Sequence, residues 1–209
     1  MPKFNSSVKV KICGMTRPQD VQSAIELGVD GIGMILHANS PRLISCQRAC
    51  EIRTMVPDSI PLIGVFVDAA ADFINQLVSK IGLDAVQLHG HENDVFASQL
   101  NVPYIKAIRV KDKPQLETDL TKYSSACAIL LDPYVAGRAG GTGKILDIDF
   151  WPDEPRQKMI LAGGLNASNL AATLKQISPY AVDLNSGVES EPGIKSPQLI
   201  AAALQALGR

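Results

Sequence analysis

The 209-residue sequence predicts an α/β protein folded as one (β/α)8 (TIM) barrel domain that spans residues 1–209. Three observations lead to this prediction. Eight short β-rich runs alternate with helical patterns, several of the runs are almost continuously apolar, and the glycine-rich turns come late in the chain. Continuous apolar runs are typical of parallel strands covered on both faces. An open doubly wound sheet, the structural alternative, normally has fewer strands and a glycine-rich turn after the first one.

The predicted strands recur at roughly 26 residues per β/α unit, which is compact for this barrel. The eight runs are Val8–Ile12, Gly31–Leu36, Leu62–Val67, Ala85–Leu88, Tyr104–Ile108, Ala126–Leu131, Lys158–Ala162 and Tyr180–Leu184.

Helix signals lie between these runs. Thr16 and Gln19 fit a capping box at the start of the first helix, and Gly28 offers a stop. Ser196 followed by Pro197 predicts an N-cap with proline at the first helical position of the last helix. A third helix is predicted from apolar residues at helical spacing, which are Phe73, Ile74, Leu77, Val78 and Ile81.

The composition narrows the class of protein. Hydrophobic residues make up 46% of the chain and charged residues 20%, and the formal net charge is −1 without a long basic run. We therefore expect no nucleic-acid partner, because phosphate contacts need a concentrated basic surface. The sequence shows neither a secretory signal nor an apolar run near the ~20 residues that span a bilayer. Four irregularly spaced cysteines fit a reduced, cytoplasmic setting and no membrane partner.

Chemistry-bearing residues follow the predicted strands, where the catalytic groups of such barrels lie. Cys13 follows strand one, and Gly14 would let a substrate approach the backbone there. Taken alone, Cys13 is better explained as a small buried hydrophobic residue. Arg42, after strand two, offers a planar fork for a carboxylate or phosphate. Taken alone, it is better explained as a solvated loop arginine.

Strands four and six also end in polar residues. The fourth leads into Gln87 and His89, which are candidates for a polar lining, and a helix-capping role for this region fits equally well. With three histidines in the chain and no clear further ligand, we expect no metal site. Asp132 ends strand six, where burial can raise the pKa of a carboxyl group. An Asp-Pro turn that breaks the strand explains Asp132–Pro133 equally well.

Glycine-rich loops follow the last strands. The loops after strands seven and eight of this barrel often bind phosphate through backbone N–H groups and a helix N-terminus. A phosphate-bearing ligand is therefore predicted from the residues alone. The candidate phosphate-binding residues are Gly141 in the Gly140–Gly143 loop, Gly163, Gly164, Ser186 and Gly187.

The ordered motifs resemble the phosphoribosylanthranilate isomerase family of tryptophan biosynthesis. No single motif is decisive, but the set runs from strand one to strand eight in the family's order. The motifs are Lys11–Gly14, Ser40–Arg42, Val86–Gly90, Leu131–Asp132, Gly140–Gly143, Ala162–Leu165 and Asn185–Glu189.

This resemblance implies an Amadori rearrangement of N-(5-phosphoribosyl)anthranilate to 1-(2-carboxyphenylamino)-1-deoxyribulose 5-phosphate. By the same resemblance, Cys13 is the general base and Asp132 the general acid. Arg42 would pair with the anthranilate carboxylate, and Asp183 would orient the ribose hydroxyls or the loops. The partner is a small phosphoribosyl substrate, no cofactor is needed, and the chain is expected to be a monomer or a homodimer.

The thiol needs help to ionise, because free cysteine has a pKa near ~8.5. Since neighbouring residues on a strand point to opposite faces, Lys11 is not expected to provide that help.

Two rival functions remain. Another phosphosugar enzyme of the same fold, such as indole-glycerol-phosphate synthase, would need lysines and glutamates at several strand ends. A non-catalytic binding protein would need the phosphate loops but neither Cys13 nor Asp132. The presence of both residues favours the isomerase.

Overall fold

A computed structural model describes residues 8–133, 144–153 and 157–209 of the chain. Eight parallel strands form a closed barrel in sequence order, and the first strand pairs with the eighth to close it. The barrel predicted from the sequence is therefore confirmed.

All eight predicted runs are strands, with ends that differ from the prediction by at most two residues. The barrel strands are β1 (Lys9–Ile12), β2 (Gly31–His37), β3 (Leu62–Phe66), β4 (Ala85–Leu88), β5 (Tyr104–Val110), β6 (Ala128–Pro133), β7 (Lys158–Leu161) and β8 (Ala181–Leu184).

Helices cover the outside of the barrel. They are α1 (Pro18–Glu26), α2 (Cys46–Arg53), α3 (Ala71–Ile81), α4 (Asp94–Ala97), α5 (Lys113–Lys122), α6 (Leu170–Thr173) and α7 (Pro197–Ala206). Short 3₁₀ turns at Ile148–Phe150 and Ser186–Val188 and a small hairpin, β9 (Glu189–Glu191) with β10 (Ile194–Lys195), complete the elements.

One helix start was predicted wrongly. The cap of α1 is Arg17, without a side-chain hydrogen bond, whereas the Thr16 hydroxyl donates to the carbonyl of Gly193. Pro18 occupies the first helical position, so Gln19 is too early in the helix to complete a capping box with Thr16. The stop at Gly28 is confirmed, because that residue is left-handed with φ 82°.

The other two helix predictions are confirmed. Ser196 caps α7 by accepting a hydrogen bond from the Leu199 N–H, and Pro197 begins the helix. In α3 four of the five predicted apolar residues are buried, whereas Phe73 is 41% exposed and meets His37 edge-on.

Two layers of apolar side chains hold the barrel together. Alternate residues of each strand point inward, and the inner cluster contains Ile63, Ile105, Ala107, Leu130 and Ile160 among others. The larger cluster lies between the strands and the helices. These apolar side chains fill the inside of the barrel. Polar groups that face inward at the C-terminal strand ends therefore lie above packed side chains rather than above a channel.

Within the described ranges, no helix is long and apolar enough to cross a membrane.

Candidate active site

A cavity of about 390 Å³ opens at the C-terminal ends of the barrel strands. Gly141, a predicted phosphate-binding residue, lies outside the described residues. All the other predicted site residues line the cavity: Cys13, Arg42, Gln87, His89, Asp132, Gly163, Gly164, Asp183, Ser186 and Gly187. Residues that are far apart in the sequence thus meet at one face.

Cys13 is buried on the β1 side of the cavity, with 4% of its surface exposed. Lys11, two residues earlier, is also buried, and its ammonium group donates to Asp183 Oδ1 at 2.8 Å. The expectation that Lys11 points away from Cys13 is wrong. Residues two apart on a strand share a face, and the alternation argument applies only to immediate neighbours.

The pKa of the Cys13 thiol is raised overall, because burial outweighs the effect of Lys11. Burial raises the pKa of the Cys13 thiol above its ordinary value, whereas the charge and hydrogen bond of Lys11 lower it. Burial lowers the pKa of Lys11, but the Asp183 carboxylate and Cys13 outweigh burial, so the pKa of Lys11 is raised overall. Lys11 is therefore a persistent cation next to the thiol.

Arg42 enters the cavity from the loop after β2. Its Nε and Nη2 donate to the two carboxylate oxygens of Glu189 at 2.8 Å and 2.6 Å. Glu189 also accepts from the buried ammonium group of Lys195 at 2.6 Å. Hydrogen bonds from Arg42 and Lys195 and their charges outweigh burial and lower the pKa of Glu189. The edge of the Arg42 guanidinium that contains Nε and Nη2 is thus bound to Glu189.

Asp132 and His89 form the β4–β6 side of the cavity. Asp132 is 9% exposed, and its Oδ2 lies 3.6 Å from His89 Nε2. Gln87 Nε2 lies 3.1 Å from His89 Nδ1. An amide can only donate there, so Nδ1 accepts and the imidazole proton resides on Nε2. Among the described residues, His89 Nε2 and Gln87 Oε1 have no hydrogen-bond partner.

The Asp-Pro interpretation of a broken strand is wrong. Asp132 and Pro133 are the last residues of β6 and pair in register with Arg109 and Val110 of β5. The strand therefore carries Asp132 to the rim of the barrel. The loop after β4 is held by Glu92, which accepts from Gly90 N–H and pairs with Lys106 Nζ, both at 2.9 Å.

The two described glycine loops leave the backbone accessible to the cavity. Gly163 and Gly164 have left-handed φ values of 87° and 57°. A Cβ on Gly163 would collide with Pro133, and one on Gly187 would collide with the carbonyl of Leu165. Gly163 is therefore required both for its backbone conformation and for close packing, whereas Gly187 is required for close packing alone.

Two residues of the site were missed in the sequence. Lys195 lies beyond the last motif, in a hairpin, and no spacing rule connects it with Arg42. Glu189 belongs to the eighth-strand motif, but its role as the partner of Arg42 depends on a contact 147 residues away in sequence. The i, i+2 spacing of Lys11 and Cys13 was the one signal that could have been used.

Within the described ranges, no group of three or more histidine, cysteine, aspartate or glutamate residues could hold a metal ion.

A closed barrel that gathers a buried thiol and a carboxyl group at its C-terminal strand ends defines a (β/α)8-barrel enzyme. Comparison with known proteins then specifies the family. The family model for N-(5'phosphoribosyl)anthranilate (PRA) isomerase matches residues 10–206. The N-(5'-phosphoribosyl)anthranilate isomerase of Pseudomonas putida (strain W619) is 40% identical over 202 residues, which cover 97% of this chain and 98% of the relative. The chain belongs to the phosphoribosylanthranilate isomerase family.

Solved structures agree with this assignment. The crystal structure of phosphoribosyl anthranilate isomerase from Thermotoga maritima matches with a TM-score of 0.85 and 31% identity, covering 96% of this chain and 98% of that one. A phosphoribosyl anthranilate isomerase in complex with reduced 1-(o-carboxyphenylamino)-1-deoxyribulose 5-phosphate matches with a TM-score of 0.82 and 30% identity over the same shares.

Proposed function

We propose that this chain carries out its family's Amadori rearrangement with Cys13 as the general base and Asp132 as the general acid. The reaction converts N-(5-phosphoribosyl)anthranilate to 1-(2-carboxyphenylamino)-1-deoxyribulose 5-phosphate in tryptophan biosynthesis. The observation that carries the proposal is that these two groups, from opposite halves of the sequence, line one cavity.

The first step is ring opening. Asp132 donates a proton to the ring oxygen as the C1′–O bond breaks, and the bonding electrons leave with that oxygen as a hydroxyl group. The lone pair of the anthranilate nitrogen forms the C=N bond, which gives a protonated imine. His89 Nε2 lies 3.6 Å from Asp132 and is proposed to keep the carboxyl group aligned with the substrate.

The second step is removal of the C2′ proton. The Cys13 thiolate takes this proton, the C–H electrons form the C1′=C2′ bond, and the C=N electrons return to nitrogen. The resulting enolamine tautomerises to the ketone product. The substrate's own nitrogen serves as the electron sink, so we propose that no cofactor takes part.

Arg42 is proposed to bind the anthranilate carboxylate in a restricted geometry. Because Glu189 occupies Nε and one hydrogen of Nη2, a substrate carboxylate would use the end of the guanidinium, which consists of Nη1 and the other hydrogen of Nη2. This arrangement fixes the direction from which the anthranilate ring enters.

The ribose and the phosphate have separate proposed sites. Gln87 Oε1 is a buried acceptor and His89 Nε2 a buried donor, and hydroxyl groups of the ribose would satisfy both. Asp183 already holds Lys11, and its second oxygen is proposed to accept a ribose hydroxyl. The phosphate would lie against the backbone of Gly163–Gly164 and Ser186–Gly187, with Gly141 as a further proposed contact.

We propose that the chain is a monomer or a homodimer, since the phosphoribosylanthranilate isomerase of Thermotoga maritima is described both as dimeric and as monomers generated from the dimer. We propose that the whole chain acts as one barrel domain in the cytoplasm. The absence of disulfides among its four cysteines, all of them described, supports a reducing compartment.

The test of the proposed function is enzyme-dependent loss of N-(5-phosphoribosyl)anthranilate, made in situ and followed by its fluorescence. The expected result is acceleration over spontaneous decay, with the carboxyphenylamino-deoxyribulose phosphate identified as the product. Folded protein that binds a reduced product analogue but gives no acceleration would overturn the catalytic assignment.

A further inference from the structure

A buried ion pair lies directly beneath the proposed base. Lys11 on β1 and Asp183 on β8 are paired in register, their charged atoms are 2.8 Å apart, and their side chains are 5% and 7% exposed. Burying such a pair costs desolvation energy that the pairing only partly offsets. Stability alone therefore gives a weak reason for its presence, and its position next to Cys13 suggests a chemical reason.

Gly33 on β2 shows how close the lysine and the thiol are. A Cβ atom built on Gly33 would lie 3.0 Å from Cys13 Sγ and 3.1 Å from Lys11 Nζ. Both atoms thus face the same small space, which exists because residue 33 has no side chain. The ammonium group is within hydrogen-bonding reach of the sulfur.

Other charged groups also face the sulfur. Lys195, from the hairpin after β8, and Arg42, from the loop after β2, contribute positive charge at longer range, and Asp183 contributes negative charge. Lys195 and Arg42 are both paired with Glu189, which reduces their net field. Among the cations named here, Lys11 is the one whose ammonium group shares the space beside Gly33 with the sulfur, and its charge lowers the pKa of the thiol.

We propose that Lys11 is a positioning residue that stabilises the thiolate form of Cys13, while Asp183 holds Lys11 protonated and aimed at the sulfur. The thiol proton leaves to solvent and Lys11 keeps its own, so the pair becomes a thiolate hydrogen-bonded to an ammonium group. This inference rests on the proposed function for the use of the thiolate, but the ionisation itself is measurable without turnover.

The experiment is the pH dependence of iodoacetamide alkylation at Cys13, read from the Cys13-containing peptide by mass spectrometry. Lys11→Met removes the charge and retains most of the length. We expect the alkylation midpoint to rise by at least ~1 pH unit, which is a ten-fold loss of thiolate at a given pH. The exposed Cys127 in the same samples is an internal reference and should keep one profile.

Two further variants separate electrostatics from disturbance of the fold. Lys106→Met removes another buried lysine, paired with Glu92 at 2.9 Å, and should leave the Cys13 midpoint unchanged. Asp183→Asn keeps an oxygen that can accept from Lys11 but removes the carboxylate charge, so its alkylation midpoint should lie below that of Lys11→Met. If Lys11→Met does not fold, the Lys11→Met/Asp183→Asn double variant, with both charges removed, should have a higher midpoint than Asp183→Asn alone.

An unchanged midpoint in folded Lys11→Met, or a double-variant midpoint no higher than that of Asp183→Asn alone, would overturn the role of Lys11. A different result would overturn the proposed function. If Cys13 is not the general base, Cys13→Ala retains turnover whatever the alkylation profiles show. With the role of Cys13 intact, Lys11→Met should lower kcat about ten-fold near neutral pH with little change in KM, and higher pH should restore part of that loss.

Discussion

The two sides of the cavity are built differently. On the β1–β8 side, which holds the proposed base, the charged groups are tied together by the Lys11–Asp183 pair and the Arg42–Glu189–Lys195 chain. On the β4–β6 side, which holds the proposed acid, the polar groups are joined by longer and incomplete contacts. His89 lies 3.6 Å from Asp132, and two buried polar atoms have no partner among the described residues.

The difference fits the proposed roles of the two sides. A buried thiolate needs fixed positive charge before the substrate arrives, so its surroundings must be organised by the protein itself. A carboxylic acid that gives up a proton must not be tied to a permanent cation, because an adjacent ammonium or guanidinium group would lower its pKa and leave it ionised. The neighbour of Asp132 is instead the imidazole of His89, and the unpartnered atoms can be satisfied by the ligand.

The largest expected effects come from removing one reactive group on each side. Cys13→Ala and Asp132→Ala should each lower kcat by at least ~100-fold, the usual scale of general acid–base catalysis. Steady-state turnover, with circular dichroism to establish that each variant folds, tests this. Near-normal turnover in either folded variant would remove that residue from the mechanism.

Much of this arrangement could be predicted from sequence, because it depends on local order. Strand ends fix the positions of Cys13, Gln87, His89 and Asp132, and the barrel topology then brings them to one face. The eight strands themselves follow from short apolar runs whose pattern needs no knowledge of distant contacts.

The connections across the cavity could not be predicted, because they join distant segments. Glu189 directly follows the Ser186–Val188 turn in sequence, yet its partner Arg42 belongs to the loop after β2. Lys195 reaches the same carboxylate from a hairpin. Pro192–Gly193 indicates the turn of that hairpin, but nothing in the sequence indicates which carboxylate Lys195 meets. The contact between Lys11 and Cys13 is a different case, because it is local in sequence: residues two apart on a strand share a face.

Glu189 tests the claim that ion pairs organise the base side. Glu189→Gln should lower the free energy of unfolding by about 3 kcal/mol, because it leaves two buried cations without their anion. Glu51→Gln is the matched control: it breaks the exposed Arg48–Glu51 pair and should cost less than about 1 kcal/mol. Urea denaturation measures both, and equal losses would contradict the claim.

The pH dependence of this difference has a definite sign. The folded-state pKa of Glu189 is lowered, so its stabilising contribution is complete above the unfolded pKa near ~4.3 and is lost as pH falls through the folded pKa. The stability deficit of Glu189→Gln should therefore be full at pH 7 and shrink below about pH 4. A deficit that grows as the pH falls would contradict this assignment.

Arg42 tests whether the base side also recognises the substrate. Arg42→Ala should raise KM by roughly ten-fold or more, the scale of a charge-assisted hydrogen bond, with a smaller change in kcat. Arg42→Lys keeps the positive charge but loses the planar guanidinium group, so it should recover only part of the affinity for the substrate. Unchanged KM in Arg42→Ala would limit this residue to holding Glu189.

The smallest expected effect comes from a local contact next to the base side. Ser196 follows Lys195 and caps α7, so Ser196→Ala should lower stability by about 1 kcal/mol. Because Lys195 is held by Asn185 and Glu189 rather than by the cap, turnover should not change. Ser196→Asp retains a capping oxygen and should retain stability. If kcat falls for Ser196→Ala at a temperature where the variant is fully folded, the ion pairs do not isolate the proposed base from changes in α7. The two sides of the cavity would then differ only in degree.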